Sequence, residues 1–337
     1  MSDEYPITIE DEWAPWPQDL DPVEAAGQLT DSPPADPHAS LIQLLRTVPA
    51  MIGAAPALID EGSRMDQDRK AAPDLLNLPM MCHNYLAGSA DFLKGLYRVM
   101  RPRPNAMEIP RFAAYPLIRG VIESGGQTVW VLSPGDQHER FRRLLQIEKS
   151  EMDHDRGYIR TATVLHDDDT HEIRSRINEI REKDEYARRA RWKRLLDAAA
   201  VLGIAQSEFE HGLSGGYTAM IGQVMAEEHE RDRNGQVQGT DSHWLGRYSA
   251  GVWYFISGMS HPSMSRGWAG SLHEPGEIGP DGYHRVKTSA NPVIIRDALL
   301  LALRLHMRAI RLWTQASCAH TQRSDGSRGS GAAIHGD

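Results

Sequence analysis

Apolar residues recur along this chain at the three- and four-residue spacing of amphipathic helices, and strand-type alternation is nearly absent. A first apolar stripe runs from Leu41 to Val48, and we expect it to break at Pro49 because proline lacks the N–H of a helix interior. A second, longer stripe follows Asp74, which is predicted to cap a helix that reaches about Met100 and that Pro79 bends near its start.

The most apolar predicted helix runs from about Pro110 to Leu132, with a kink expected at Pro116. It is apolar nearly all round, which indicates a central position in the fold. Arg119 and Glu123 form its one i, i+4 pair of opposite charge. Because isolated buried charges cost several kcal/mol, this pair needs partners in so apolar a context.

A new helix is predicted after the turn SPGDQ. The next helix along the chain is predicted for residues 172–202. We interpret Asp169 and Glu172 as a capping box for this second helix, in preference to a metal site built from His166 and His171. Its apolar stripe is narrow and is flanked by acid-before-base pairs, so we expect it to face solvent and to project from the domain. Its basic end, ARRARWKR, is interpreted as a solvated face, with contact to phosphate or to an acidic segment as the alternative.

The stretch Arg247–Arg266 concentrates aromatic, serine and histidine residues before a proline. If it is helical, Trp253, Ser257 and His261 lie at i, i+4 and i+8 on one face, and Pro262 limits its continuation. One interpretation is a buried helix end with satisfied polar groups, and the other is a polar site. We expect Ser257 and His261 to meet Arg119 and Glu123 between two central helices, where Glu123 neutralises Arg119 and orients His261.

The carboxyl-terminal third completes a helical pattern. Asp241 is the expected cap of the helix in Arg247–Arg266, and the Gly- and Pro-rich residues 267–290 are expected to be irregular. A last helix is predicted with Asn291 as its cap and Pro292 at its first position. The predicted fold is therefore an all-α, multi-helix bundle with an extended N-terminal arm and a flexible C-terminal tail. The expected division is an acidic arm (1–37), one helical domain (38–317) and a disordered tail (318–337).

The distribution of charge and the cysteine content indicate the cellular environment in which the protein is expected. The net charge of −9 arises in residues 1–37, which hold ten acidic and no basic residues. The rest of the chain holds 36 acidic and 37 basic residues and is nearly neutral. We expect Trp13 and Trp16 of this arm to dock on the domain itself or on a partner, with the carboxylates facing Arg188–Arg194 or Arg304–Arg311. The two cysteines lack metal-ligand spacing, and the amino terminus lacks a secretory signal pattern. A cytoplasmic protein without membrane span, metal or cofactor is expected.

Two pieces together resemble a group of uncharacterised helical proteins common in actinobacteria. Their pattern combines R-x-x-x-E, W-x-L, R-x-x-R and a later aromatic-x-x-x-S-G-x-x-H. The matching residues here are Arg119, Glu123, Trp130, Leu132, Arg140, Arg143, Trp253, Ser257, Gly258 and His261. The group usually has tyrosine at the position of Trp253. The resemblance implies a helical fold over roughly residues 75–317 and does not by itself imply an activity.

A more distant resemblance leads to HEPN helical bundles, several of which are metal-independent RNases or toxins. The arrangement that fits their Arg and His signature is Arg266 to His273. Two functions therefore compete. One is a non-catalytic interaction or regulatory protein, which binds a protein, RNA or a second copy of the chain. The other is an RNase in a toxin or phage-defence setting, with His261 as acid/base and with Arg119, Arg140 or Arg143 as phosphate ligand.

Overall fold

A computed structural model gives the fold of this chain. The structure describes residues 36–53, 58–72, 76–102, 107, 109–233, 242–260, 264–278, 280 and 284–319. The expected arm up to residue 35 and the expected tail from residue 320, together with Asp74, Asp241 and His261, therefore lie outside the described residues.

Helices dominate the described residues, which confirms the expected all-α class. One short β-hairpin lies between the last two helices. The elements in chain order are α1 (Pro37–Gly53), α2 (Arg64–Ala71), α3 (Leu78–Met100), α4 (Ala114–Leu132), α5 (Gln137–Ala162), α6 (His171–Leu202), a 3-10 turn (Gln206–Glu208), α7 (Gly216–Arg233), α8 (Ser242–Met259), α9 (Met264–Ala269), β1 (Ser271–Ile278), β2 (His284–Ala290) and α10 (Pro292–Ser317).

Helix α4 lies at the centre of the bundle, as its apolar sequence predicts. It packs most extensively against α3 and α10, and it also contacts α5, α7 and α8. Every residue from Gly125 to Leu132 is buried. The helix begins at Ala114 rather than near Pro110, so Pro116 falls in the first turn, where the missing N–H breaks no helical hydrogen bond.

Two predictions about proline near the amino terminus are wrong. Helix α1 continues through Pro49, because the buried side chains of Leu45, Val48 and Met51 hold both halves against the core. Helix α3 starts at Leu78 with Asn77 as its cap, so Pro79 lies in the first turn and fits there without a bend.

Helices α5 and α6 follow each other through a capped connection. Asp136 caps α5 by accepting from the Glu139 N–H. The cap of α6 is Thr170, which accepts from the Ile173 N–H, while Asp169 accepts from the His166 N–H, so the expected capping box does not form. Only Leu195, Ala198 and Ala199 of α6 are buried, in agreement with a solvent-facing helix.

Glycine sets the distance between α7 and α8, which pack closely on each other. A Cβ built on Gly246 would lie 2.6 Å from the backbone oxygen of Gly222, and one built on Gly222 would lie 3.2 Å from the Gly246 oxygen. The two backbones therefore meet at these glycines.

The segment expected to be irregular contains an antiparallel hairpin instead. Ser271 pairs with Ala290 and Pro275 with Val286, and the register shifts between Pro275 and Ile278. The strand side chains are mostly exposed, which explains why no apolar alternation marks them in the sequence. Asn291 then caps α10 by accepting from the Val293 N–H, with Pro292 at the first position, as predicted. Among the described residues, no helix is long and apolar enough to cross a membrane.

Candidate functional site

Charged and amide side chains repeat at every fourth position along the largely apolar helix α4. Arg119, Glu123 and Gln127 therefore share one face. The Nε of Arg119 donates to Oε1 of Glu123 over 2.8 Å. Their side chains are 28% and 22% exposed, so the pair sits at the edge of the core and remains reachable from solvent.

Helix α8 supplies the partner that this pair needs. The indole Nε1 of Trp253 donates to the same Glu123 oxygen over 3.2 Å. The guanidinium carbon of Arg119 lies 5.7 Å from the centre of the Trp253 ring, within the range of a cation–π contact. Ser257 follows one turn later on α8 and is half-buried. The structure thus brings Arg119, Glu123 and Trp253 together, and the meeting of His261 with them stays a prediction.

The polar face of α4 continues into a second group of residues. Nε2 of Gln127 donates to the Tyr217 hydroxyl over 3.0 Å, and that hydroxyl donates to Oε1 of Glu151 over 2.6 Å. Burial raises the pKa of Tyr217, and the bond to Glu151 raises it further. The hydroxyl therefore stays protonated and acts as a donor, not as a base. We refer to Arg119, Glu123, Gln127, Tyr217, Glu151 and Trp253 as the polar face.

Sequence reasoning found the first half of the polar face and missed the second. The signal for Gln127 was present, since it repeats the four-residue step from Arg119 to Glu123. Nothing local connects Gln127 to Tyr217 or Tyr217 to Glu151, which lie 90 and 66 residues apart.

Arg140, one of the two expected phosphate ligands, is held inside the protein. It is 2% exposed and forms two bonds to the Asp68 carboxylate, which is 1% exposed, at 2.6 and 2.8 Å. Its remaining terminal nitrogen donates to the carbonyl groups of Pro134 and Gly135. A phosphate has no route to this guanidinium in the folded protein.

Arg143, the second expected phosphate ligand, joins three elements of the core. It donates to Glu139 over 2.7 Å, to Glu227 over 3.1 Å and to the carbonyl oxygen of Trp130 over 3.0 Å, and its guanidinium carbon lies 3.9 Å from the Trp130 ring centre. Hydrogen bonds from Arg142 and then from Arg143 lower the pKa of Glu139 to about 2. Arg143 is therefore occupied by protein acceptors and is not positioned to hold a phosphate.

The residues of the Arg266–His273 arrangement lie in different elements, Arg266 in α9 and His273 in β1 of the hairpin. The side chain of Arg266 lies outside the described residues. His273 belongs to β1, where its ring stacks on Trp268 at a centroid distance of 3.8 Å and its Nε2 lies 2.8 Å from the Trp268 carbonyl oxygen. His273 therefore lies in a strand of the hairpin, whereas the sequence predicts a loop at this position.

A buried histidine that the sequence did not single out lies on α10. Nδ1 of His306 is 2.9 Å from the Ser89 hydroxyl, and Nε2 is 3.4 Å from the carbonyl oxygen of Met51. Burial lowers the pKa of His306 to about 4. The ring is therefore neutral near pH 7 and links α10 with α3 and α1.

A cleft of about 1040 Å³ lies between the start of α2 and the end of α10. Arg64 and Arg308 line it, but Arg64 donates to the Leu132 carbonyl over 3.2 Å and Arg308 lies 2.5 Å from the Glu228 carboxylate. Aromatic side chains and the polar face are absent from the lining that the described residues provide.

Metal-ligand side chains are dispersed in the part of the chain that the structure describes. There, no group of three or more His, Cys, Asp and Glu side chains lies close enough together to hold a metal ion. Comparison with known proteins adds no constraint, because no family model, curated protein or solved structure matches this chain.

Proposed function

We propose that this chain is a non-catalytic interaction protein, in which the polar face is structural. The observation that carries the proposal is that Arg119, Glu123 and Gln127, which share one face of α4, each form a hydrogen bond with another side chain of the protein. Glu123 accepts from Arg119 and from Trp253 of α8, and Gln127 donates to Tyr217 of α7. These bonds join the central helix to its neighbours. Buried polar groups need such partners whether or not they take part in chemistry.

The two arginines of the R-x-x-R motif support the same proposal. Arg140 and Arg143 bind carboxylates and carbonyl groups of the fold, so their spacing serves packing around the α4–α5 turn. The cleft beside Arg64 and Arg308 is lined without aromatic groups by the described residues, whereas a nucleic-acid site typically offers aromatic faces for stacking.

The proposed contact surface is the exposed side of α5 and α6. Large apolar side chains remain in solvent there, namely Tyr158, Ile173, Ile180 and Tyr186. Exposed apolar side chains also occur on α8 and on the hairpin, and the four on α5 and α6 are the ones that we assign to the contact surface. We place the protein in the cytoplasm as part of the same proposal, since Cys82 and Cys318 are unpaired.

The test compares RNA degradation and unfolding for the wild type, Glu123→Gln and His261→Ala. A structural role predicts that Glu123→Gln loses about 1 kcal/mol of unfolding free energy, because its amide accepts more weakly from Arg119 and Trp253. It also predicts that the purified wild type does not degrade RNA. RNA degradation that disappears in His261→Ala, with unfolding unchanged, would contradict the proposal.

The alternative, a metal-independent RNase with HEPN-like features, has one observation in its favour. Arg119 and Glu123 keep about a quarter of their side chains exposed, so an anion can approach Arg119 from solvent. In that reading Arg119 holds a phosphate and His261 acts as acid/base. The same RNA experiment decides between the two functions, because only the RNase depends on His261.

A further inference from the structure

The cleft between the start of α2 and the end of α10 has walls that are fixed to each other. The Asp60 N–H donates to the carbonyl oxygen of Ser317 over 2.9 Å, and the Asp60 carboxylate accepts from the Ala319 N–H over 3.0 Å. These bonds tie the chain before α2 to the last residues of α10. The cleft volume of about 1040 Å³ lies near the upper end of the range for small-molecule sites, about 300–1,000 Å³.

Arg64, the first residue of α2, lies in the cleft wall and is held in position by the end of α4. Its terminal nitrogens donate to the carbonyl oxygens of Leu132 over 3.2 Å and of Pro134 over 3.5 Å. A guanidinium has more N–H donors than these two bonds use. Burial lowers the pKa of Arg64, Arg140 lowers it further, and Asp68 offsets part of this. The cation is thus under-compensated, and an anion beside it would stabilise it.

Arg308 of α10 supplies a second guanidinium to the cleft. Its Nε lies 2.5 Å from a carboxylate oxygen of Glu228, and its side chain is 25% exposed. This contact is an ion pair without the geometry of a hydrogen bond. Within the described part of the chain, the terminal nitrogens of Arg308 form no hydrogen bond, so their N–H groups are left for an acceptor.

The rest of the cleft wall indicates which kind of acceptor fits. In the lining that the described residues provide, two guanidinium groups stand against one carboxylate, that of Glu61. Hydroxyl and amide groups surround them, from Ser63, Ser133, Gln67 and Gln315. Guanidinium groups bind carboxylates and phosphates through paired hydrogen bonds. Since the described lining lacks aromatic faces for nucleobases, a small polar anion matches the cleft better than a nucleic acid does.

We propose that the cleft binds a small molecule through a carboxylate or phosphate group, with Arg64 and Arg308 as the cations that hold it. Arg64 contacts the anion from α2, and Arg308 contacts it from α10. The bound molecule thereby joins α2 to α10, which packs on the central helix α4. This site goes beyond the proposed contact surface, because its described lining includes no residue of α5 or α6 and its ligand is a small molecule.

Cys318 provides a chemical probe inside the cleft. It is an exposed, unpaired thiol of the cleft wall, whereas Cys82, the other cysteine of the chain, is buried. Burial raises the pKa of Cys82. Because alkylation requires a thiolate, Cys318 is the cysteine that reacts in the folded protein. Its alkylation rate therefore reports which molecules enter the cleft.

The first experiment compares two alkylating reagents of similar size on the full chain, the anionic iodoacetate and the neutral iodoacetamide. Mass spectrometry gives both rates at Cys318, and the ratio of iodoacetate to iodoacetamide measures the attraction of an anion. We expect this ratio to be about fivefold higher in the folded wild type than in the urea-unfolded chain. Arg64→Gln/Arg308→Gln should lose the excess. Arg188→Gln/Arg189→Gln removes the same charge from α6 and is the matched control, which should keep it.

The second experiment identifies the anionic group. Iodoacetamide alkylation of Cys318 is measured in inorganic phosphate, in succinate and in sodium chloride of equal ionic strength. We expect phosphate, succinate or both to slow the reaction about twofold or more relative to chloride, because a bound anion covers the cleft. Protection by phosphate alone assigns a phosphate ligand, protection by succinate alone assigns a carboxylate ligand, and protection by both assigns either oxyanion.

Two outcomes would overturn the proposal. One is a rate ratio that is equal in the folded wild type and in Arg64→Gln/Arg308→Gln. The other is protection by phosphate and succinate that does not exceed that by chloride. Arg64→Lys/Arg308→Lys provides a second variant that retains both charges. It should keep the rate ratio and weaken the protection, since an ammonium group lacks the paired donors of a guanidinium. Circular dichroism confirms that each variant keeps its helices.

Discussion

Acidification should destabilise this protein through the buried side chain of His306. The ring is 2% exposed and is held between the Ser89 hydroxyl and the carbonyl oxygen of Met51. As a neutral ring it donates through one nitrogen to Met51 and accepts through the other from Ser89. Protonation would add a second N–H where a hydroxyl already donates, and it would place a charge in the core.

The size of the effect follows from the pKa. Burial lowers the pKa of His306 from 6.5 to about 4, so the unfolded chain binds this proton more readily than the folded one between these two values. Stability is therefore full above about pH 6.5 and falls as the pH drops towards 4, with no further loss from this group below that. At about 1.4 kcal/mol per pKa unit, the folded state loses about 3 kcal/mol.

Urea unfolding of the wild type and of His306→Asn, measured between about pH 7 and pH 4, tests this reasoning. Carboxylates titrate in both proteins, so the difference between their unfolding free energies isolates the histidine. We expect the wild type to lose about 3 kcal/mol more than the variant across this range. A difference that stays constant with pH would refute the argument.

The remaining predictions concern packing and the N-terminal arm. Arg140→Met leaves the buried Asp68 carboxylate with the Gln137 amide but without the guanidinium that binds it, so thermal and urea unfolding should show a loss of about 3–5 kcal/mol. The loss should be smaller in Asp68→Leu/Arg140→Met, which removes both charges. Gly246→Ala places a Cβ 2.6 Å from a backbone oxygen of the facing helix and should cost about 1–3 kcal/mol, whereas Gly251→Ala on the same helix, with open space around it, should be neutral or mildly stabilising by urea unfolding. Deleting residues 1–37 should strengthen retention on heparin at low salt, and an unchanged elution would contradict shielding by the arm.

Local features of the fold were predictable from the sequence. The position of α4 follows from its apolar surface, and the start of α10 follows from Asn291 and Pro292, because caps and periodicity act within a few residues. Where two local signals compete, the sequence does not rank them. Thr170 and Asp169 are both good caps, and the helix uses Thr170.

Long-range pairing was not predictable in the same way. Asp68 and Arg140 are 72 residues apart, and Ser89 and His306 are 217 apart, so no spacing rule connects them. Proline at position 49 has a local preference against helix, but tertiary packing outweighs it. The sequence does not predict the hairpin, because its strands lack a buried apolar face. The two strands pair with each other and do not pack one face on the core.

The candidate site contains one pair that was predictable from local spacing and one partner that depends on long-range packing. Arg119 and Glu123 meet because i, i+4 spacing brings them together on any helix. That a third group would join them follows from their apolar surroundings, but its identity as Trp253 depends on the packing of α8 against α4. Trp253, Tyr217 and Glu151 complete the polar face, and its hydrogen bonds connect α4 with α8 and α7, and α7 with α5.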